Sequence, residues 1–200
     1  MQIGNEIALF DAGRGVSTQL VRAGIQPQQI NPIFITHHHF DHIGNLGDLI
    51  LTAWNNGRSN PLSIIGPRGT SAIVDALLNA VYRADIKFRL AEAALSEAKL
   101  VDVRQMVQVR DVEPGVVFDN GRYRVHADYV MHGHGLGLTQ DTWPCFGYRI
   151  EAAGKIVAIS GDTVDCPGLD RLAQGADLLV QCCYLAQAEI GDADTELIAR

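Results

Sequence analysis

The sequence predicts an α/β fold, and three observations carry that expectation. Up to Pro67, short apolar runs bounded by turn residues alternate with segments of helical apolar spacing; from Thr70 to Lys99 no Pro or Gly interrupts long Ala- and Leu-rich stretches; and from Val101 onward the pattern turns to strands. In order, Glu6 to Phe10 and Pro32 to Thr36 read as strands, with Val16 to Ala23 and Asn45 to Trp54 as helices, which is βαβα order. Residues 62 to 65 form a further strand that stops at Gly66-Pro67. The β region then runs through Val101 to Val109, Val116 to Phe118, the turn Asp119-Asn120-Gly121, Tyr123 to Met131, Phe146 to Glu151 and Lys155 to Ser160. A last helix over Pro167 to Gln174 leads into the apolar strand Asp177 to Gln181. No Pro- or Ser-rich linker or short repeat divides the chain, so residues 1–200 are expected as one layered domain with a mixed sheet, residues 69–99 being a helical insertion or cover. The first strand begins almost at once and Asp192 to Arg200 reads as a helix start of about one turn, the pattern of a domain incomplete at both termini.

Composition narrows the class. Hydrophobic residues make up 47% and charged ones 20% of 200 residues, enough to bury a substantial core and inconsistent with disorder. A net charge of −7 offers no general attraction to a polyanion, so a nucleic-acid substrate is disfavoured. Cysteines stand at 145, 166, 182 and 183, and an adjacent pair is a poor start for a disulfide framework, so free thiols in a reducing compartment are expected. No apolar run has the length of a membrane span and no basic stretch leads an apolar signal core, which makes the cytoplasm the expected location.

The chemistry concentrates in Thr36-His37-His38-His39-Phe40-Asp41-His42-Ile43-Gly44-Asn45. The apolar strand Ile33 to Ile35 delivers four imidazoles and a carboxylate into a tight turn, and Gly44-Asn45 then opens a helix. Imidazole and carboxylate are preferred donors for zinc and similar divalent ions. Alternate residues of an extended segment point the same way, so His37 and His39 can grip one ion while Asp41 and His42 face a second. Gathering this many imidazoles has no packing benefit that would explain it otherwise.

His37-x-His39-x-Asp41-His42 at a strand end resembles the signature of the metallo-β-lactamase superfamily. That resemblance implies an αββα four-layer sandwich of mixed sheets flanked by helices, commonly holding two metal ions: Zn2+, with Mn2+ or Fe2+ as alternatives. Leu9-Phe10-Asp11-Ala12-Gly13-Arg14-Gly15 resembles the superfamily's first motif, whose aspartate braces the metal loop without binding metal, which assigns that role to Asp11. Ser160-Gly161-Asp162-Thr163 resembles the motif whose aspartate bridges both ions. Together with Phe146-Gly147-Tyr148-Arg149-Ile150, these segments are similar to the branch containing ribonuclease Z and related arylsulfatases.

The resemblance also calls for a histidine shortly after a strand, which His132 or His134 can supply; His132 fits better because it follows the strand directly, whereas His134 lies in a Gly-rich loop and suits a pocket position. Asp162 alone would be ordinary turn chemistry, and its place downstream of the histidine cluster is what makes it a ligand candidate. His126 lies within a strand and needs only a hydrogen-bond partner, and neither Cys182 nor Cys183 has a companion at metal-finger spacing. Trp54, Trp143 and Tyr148 could line a pocket, although aromatic residues more often pack.

The implied chemistry is hydrolysis by a metal-activated water, with Asp41 orienting the water or taking its proton, on a small ester, lactone, sulfate or phosphodiester. No Gly-x-Ser-x-Gly elbow or Walker loop offers a different mechanism. Two alternatives stand beside it. A ribonuclease Z-like nuclease acting on transfer-RNA precursors is opposed by the acidic charge and by Gln181-Cys182, where that family carries a His-Glu pair. A metal-binding scaffold without turnover is favoured by the lack of any histidine after His134, where the superfamily places its final ligand. Relatives in this branch are often dimers, so the resemblance adds a homodimer to the expected partners.

Overall fold

The computed structural model describes residues 1–96, 99–133 and 135–183, which fall in two compact units divided after Glu113. In the first unit, β1 (Gln2–Ile3) and β2 (Glu6–Phe10) form an antiparallel pair, and β3 (Ile30–Phe34), β4 (Leu62–Gly66) and β5 (Val107–Asp111) join in parallel, giving the order β1-β2-β3-β4-β5. Parallel neighbours need crossovers, and each crossover here carries helix. They are α1 (Val16–Arg22), then α2 (Phe40–Ile43) with α3 (Leu46–Asn55), then α4 (Thr70–Ala76), a π-helical turn at Leu77–Val81, α5 (Arg83–Leu95) and α6 (Val103–Met106). Ile33, Ile64 and Ile65 are fully buried, the near-continuous apolar pattern of parallel strands.

On α3 the buried set Leu46, Leu49, Ile50, Ala53 and Trp54 follows helical spacing. Trp54 packs into this core and its indole N–H donates to the Val101 carbonyl at 2.7 Å, so it belongs to the core and not to a pocket. Two expectations shift. The strand expected from Val101 starts only at Val107, because the Asp102 carboxylate accepts the Arg104 N–H at 2.9 Å and caps α6. Thr36 falls outside β3 because its N–H is taken by the Asp11 carboxylate instead of a neighbouring strand.

In the second unit, β6 (Gly115–Asp119), β7 (Tyr123–Tyr129), β8 (Phe146–Ala152) and β9 (Lys155–Ile159) form an antiparallel meander. Helix α7 (Pro167–Ala173) crosses to β10 (Leu178–Val180), which pairs in parallel with β9, so both five-stranded sheets are mixed. Gly121 takes φ 79° in the expected β6–β7 turn, with its N–H held by Asp119 at 2.9 Å. On β7 the alternation of buried Tyr123, Val125 and Ala127 marks the covered face. Helix α7 lies so close to β7 that a Cβ on Gly168 would collide with the Tyr129 carbonyl. Tyr148 is fully buried and Trp143 packs against Val130, Cys145, Cys166 and Leu172, so neither aromatic opens a pocket. The four cysteines form no disulfide among the described residues, Cys182 and Cys183 being exposed just beyond β10. No described helix is long and apolar enough to cross a membrane. The helix start expected at Asp192 lies outside the described residues.

Candidate metal centre

In the first unit the histidine motif leaves β3 and is held by the loop after β2. Asp11 is the hub: one carboxylate oxygen accepts the Thr36 N–H at 2.7 Å, and the other accepts the Thr36 hydroxyl and His42 Nδ1, each at 2.7 Å. It holds this position at φ 61°, a left-handed conformation that Asp tolerates better than most residues. The backbone closes beside it, with Ala12 N–H donating to the His42 carbonyl at 2.8 Å and Asn45 N–H to the Ala12 carbonyl at 2.9 Å. At Gly13 an added Cβ would strike the Asp41 carbonyl. Gly13→Ala is therefore expected to push the two loops apart and to cost about 2–4 kcal/mol, read as a lowered urea midpoint with unchanged m value.

These bonds settle the histidine tautomers. A carboxylate only accepts, so the Thr36 hydroxyl gives its proton to Asp11 and then serves as acceptor for His37 Nδ1–H at 3.0 Å. That makes Nε2 the lone-pair nitrogen of the almost fully buried His37. His42, donating Nδ1–H to Asp11, likewise carries its lone pair on Nε2. His37 Nε2 lies 3.0 Å from His39 Nδ1, and the rings of His37 and His42 stand 4.1 Å apart between centroids. Carboxylate–imidazole pairs of this kind orient metal-binding histidines.

The motif departs from the expected tight turn. His39 caps the one-turn helix α2, whose first turn contains Asp41, and the Asp41 side chain is exposed. The fourth imidazole faces elsewhere: His38 Nε2 bonds the Thr70 hydroxyl at 2.9 Å and so ties the motif to α4, and its burial lowers its pKa below the usual histidine value. Thr36, which links Asp11 to His37, is the participant that sequence reasoning missed; a hydroxyl at a strand end beside a histidine was its only signal.

In the second unit, His132 and Asp162 come together at the ends of β7 and β9, with His132 Nε2 3.9 Å from an Asp162 carboxylate oxygen. Thr163 fastens the two loops: its hydroxyl accepts the Met131 N–H at 3.0 Å and donates within 3.1 Å of the Met131 carbonyl. His132 thus sits three residues beyond β7 instead of directly on its end, and His134 lies outside the described residues. Cys145 is buried, and burial, then the Asp162 charge, push its thiol up to about 12. His126 lines a cavity of about 330 Å³ with Arg149 and Arg171, whose guanidinium groups are engaged by Glu151 and Asp128.

Residues 8–196 match the family described as the beta-lactamase superfamily domain. The chain belongs to this superfamily. Among its relatives, ribonuclease Z of Mycolicibacterium paratuberculosis is 36% identical over 184 residues, covering 90% of this chain and 61% of the relative. The chain therefore spans about three fifths of the length of the curated relatives it matches. Human tRNase Z, short form, superposes with TM-score 0.66 at 26% identity over 98% of this chain and 74% of that one. The metallo-beta-lactamase fold protein YhfI of Bacillus subtilis gives TM-score 0.64 at 18% identity, covering 97% and 65% of the two chains, a likeness of fold. The α/β architecture with two mixed sheets is thus that of the metallo-β-lactamase fold, and the superfamily match takes in both units of this member.

Proposed function

We propose that this superfamily member is a metal-dependent hydrolase of phosphodiester bonds. In this reading residues 1–200 act as one domain. His37, His39, His132 and Asp162 would hold one divalent cation, Zn2+ ahead of Mn2+ or Fe2+. Asp41 and His42, with Asp162, would hold a second. The observation that carries the reading is the pair of nitrogens on His37 and His39, 3.0 Å apart, with the His37 ring oriented from Asp11 through Thr36. Two imidazole nitrogens at about 2.0–2.1 Å from a tetrahedral zinc stand about 3.3 Å apart, so the donors fit the ion with an adjustment of a few tenths of an ångström.

A bound divalent cation supplies Lewis acidity and a water nucleophile at neutral pH. The chain's own groups do the rest. Asp41, exposed on α2, orients the attacking water and takes its proton, while Asp11 keeps His42 and the Thr36–His37 pair in their ligand tautomers. Cys145 supplies no nucleophile here, since its thiol, at about 12, stays protonated at neutral pH.

The likeness to ribonuclease Z brings precursor transfer RNA forward as the macromolecular substrate, against the expectation from net charge. Small aryl esters, lactones and sulfates form the second reading, favoured by the charge of −7 and by Gln181-Cys182 in place of a His-Glu pair. A reducing, cytoplasmic setting accords with four cysteines that form no disulfide among the described residues. The test is metal stoichiometry measured alongside turnover of bis(4-nitrophenyl) phosphate, an aryl ester, an aryl sulfate and a precursor transfer RNA. Two ions with phosphodiester cleavage is the expected result, and salt-sensitive RNA cleavage would select the nuclease. Metal without turnover of any substrate would leave a non-catalytic scaffold and end the hydrolase reading.

A further inference from the structure

Within the second unit, His126 lies on the face of β7 opposite the buried Val125 and Ala127, and its imidazole makes no hydrogen bond among the described residues. Across the ladder it stands directly opposite Arg149 of β8. Two basic side chains in that position repel each other whenever both are charged. The neighbouring carboxylates are already committed: Asp128 accepts Arg171 Nε and Nη2 at 2.6 and 2.9 Å, and Glu151 accepts Arg149 Nε at 2.9 Å. Arg149 Nη1 donates to the Leu172 and Gln174 carbonyls at 3.1 and 2.6 Å, which fixes the guanidinium against the end of α7. Arg149 Nη2, Arg171 Nη1 and the His126 N–H are then left without an acceptor among the described residues. All three side chains line one cavity of about 330 Å³, which also has an apolar wall of Pro114, Ala127 and Leu172.

We infer that this cavity binds a small organic phosphate, a monoester, at a site that shares no residue with the His132–Asp162 cluster. The donors arrive from three elements, His126 from β7, Arg149 from β8 and Arg171 from α7. A carboxylate offers two coplanar oxygens, which a single guanidinium can satisfy. A phosphate monoester offers three terminal oxygens, one for each donor, and its fourth bond can carry the organic body toward the wall of Pro114, Ala127 and Leu172. The volume is that of a small-molecule site. Both guanidinium groups are held before any ligand arrives, Arg149 by three hydrogen bonds at 18% exposure and Arg171 by its two bonds to Asp128, so little freedom is lost on binding. Charge sets a ceiling on affinity. The two guanidinium groups face Asp128 inside the cavity and Glu151 beside it, so attraction rests on directed hydrogen bonds more than on net charge, and a Kd on the order of 1 mM is expected.

Phenyl phosphate titrated into the 15N-labelled full chain, followed by two-dimensional NMR, locates the binding. Saturable shifts of the Gly115, Ala127, Asp128 and Leu172 amides are expected. His126→Asp should weaken those shifts at least tenfold, whereas His126→Gln, which keeps an N–H donor, should stay within about threefold of wild type. Benzoate should bind there at least about fivefold more weakly than phenyl phosphate. Shifts confined to the metal motif around His37 to Asp41 and to Asp162 would place the phosphate at the metal centre alone and overturn the site. So would wild-type affinity in His126→Asp with an unchanged circular dichroism spectrum. Equal binding of benzoate overturns the assignment to a phosphate, and loss of binding in His126→Gln as complete as in His126→Asp overturns the donor role of His126.

Discussion

His39→Ala is expected to strip the protein of nearly all bound metal while its secondary structure survives. The imidazole contributes one of four donors to the proposed first ion, and its Nδ1 lies 3.0 Å from His37 Nε2. Structural zinc sites bind with about 10–16 kcal/mol in all, so one ligand in four represents on the order of 3 kcal/mol, roughly a hundredfold in affinity. The fold should tolerate the change. His39 is only partly buried, and as the residue before α2 it makes no side-chain capping bond, so alanine leaves the start of α2 without a lost cap. Metal retained after dialysis, measured by atomic emission beside a circular dichroism spectrum, decides the matter. Wild-type metal content in the variant would refute the ligand assignment, whatever happened to turnover.

Asp11→Ala should weaken both metal and fold. Three donors converge on its carboxylate, one of them the N–H of the almost fully buried Thr36. Without an acceptor each such group costs about 1–3 kcal/mol, and alanine at φ 61° adds about 1 kcal/mol of backbone strain. Even at the lower bound, a total of about 4 kcal/mol lowers the melting temperature by roughly 8–16 °C in a chain of this size. Loss of the brace on His42 and on the Thr36–His37 pair should reduce metal affinity about 10- to 100-fold. Asp11→Gly serves as the control, since it relieves the backbone and removes only the carboxylate. If both variants melt early yet bind metal as tightly as the wild type, Asp11 is a structural residue alone.

Much of this was legible in the sequence, for identifiable reasons. Short apolar runs bounded by turn residues located β2 and β4, helical apolar spacing located α1 and α3, and the Asn-Gly turn placed the β6–β7 hairpin. The histidine cluster was legible because imidazoles so close together serve packing poorly. What pattern could not show is competition for a single backbone group. Thr36 looked like strand until its N–H was claimed by Asp11, twenty-five residues away, and Val103 to Met106 looked like strand until Asp102 capped a helix turn. His38 was indistinguishable from its neighbours because its partner, Thr70, is reached only through the fold.

The two sheets also differ in how they must assemble. β6 to β9 join neighbour to neighbour as a meander, whereas each parallel pairing from β2 to β5 waits for an intervening helical crossover, the longest running from Gly66 to Val107. Closing long loops before any contact rewards them slows folding. During synthesis the half that leaves the ribosome first is therefore the half with the slower topology, and its apolar strands stay open to wrong neighbours for longer. Yield in the cell should depend on protecting that interval.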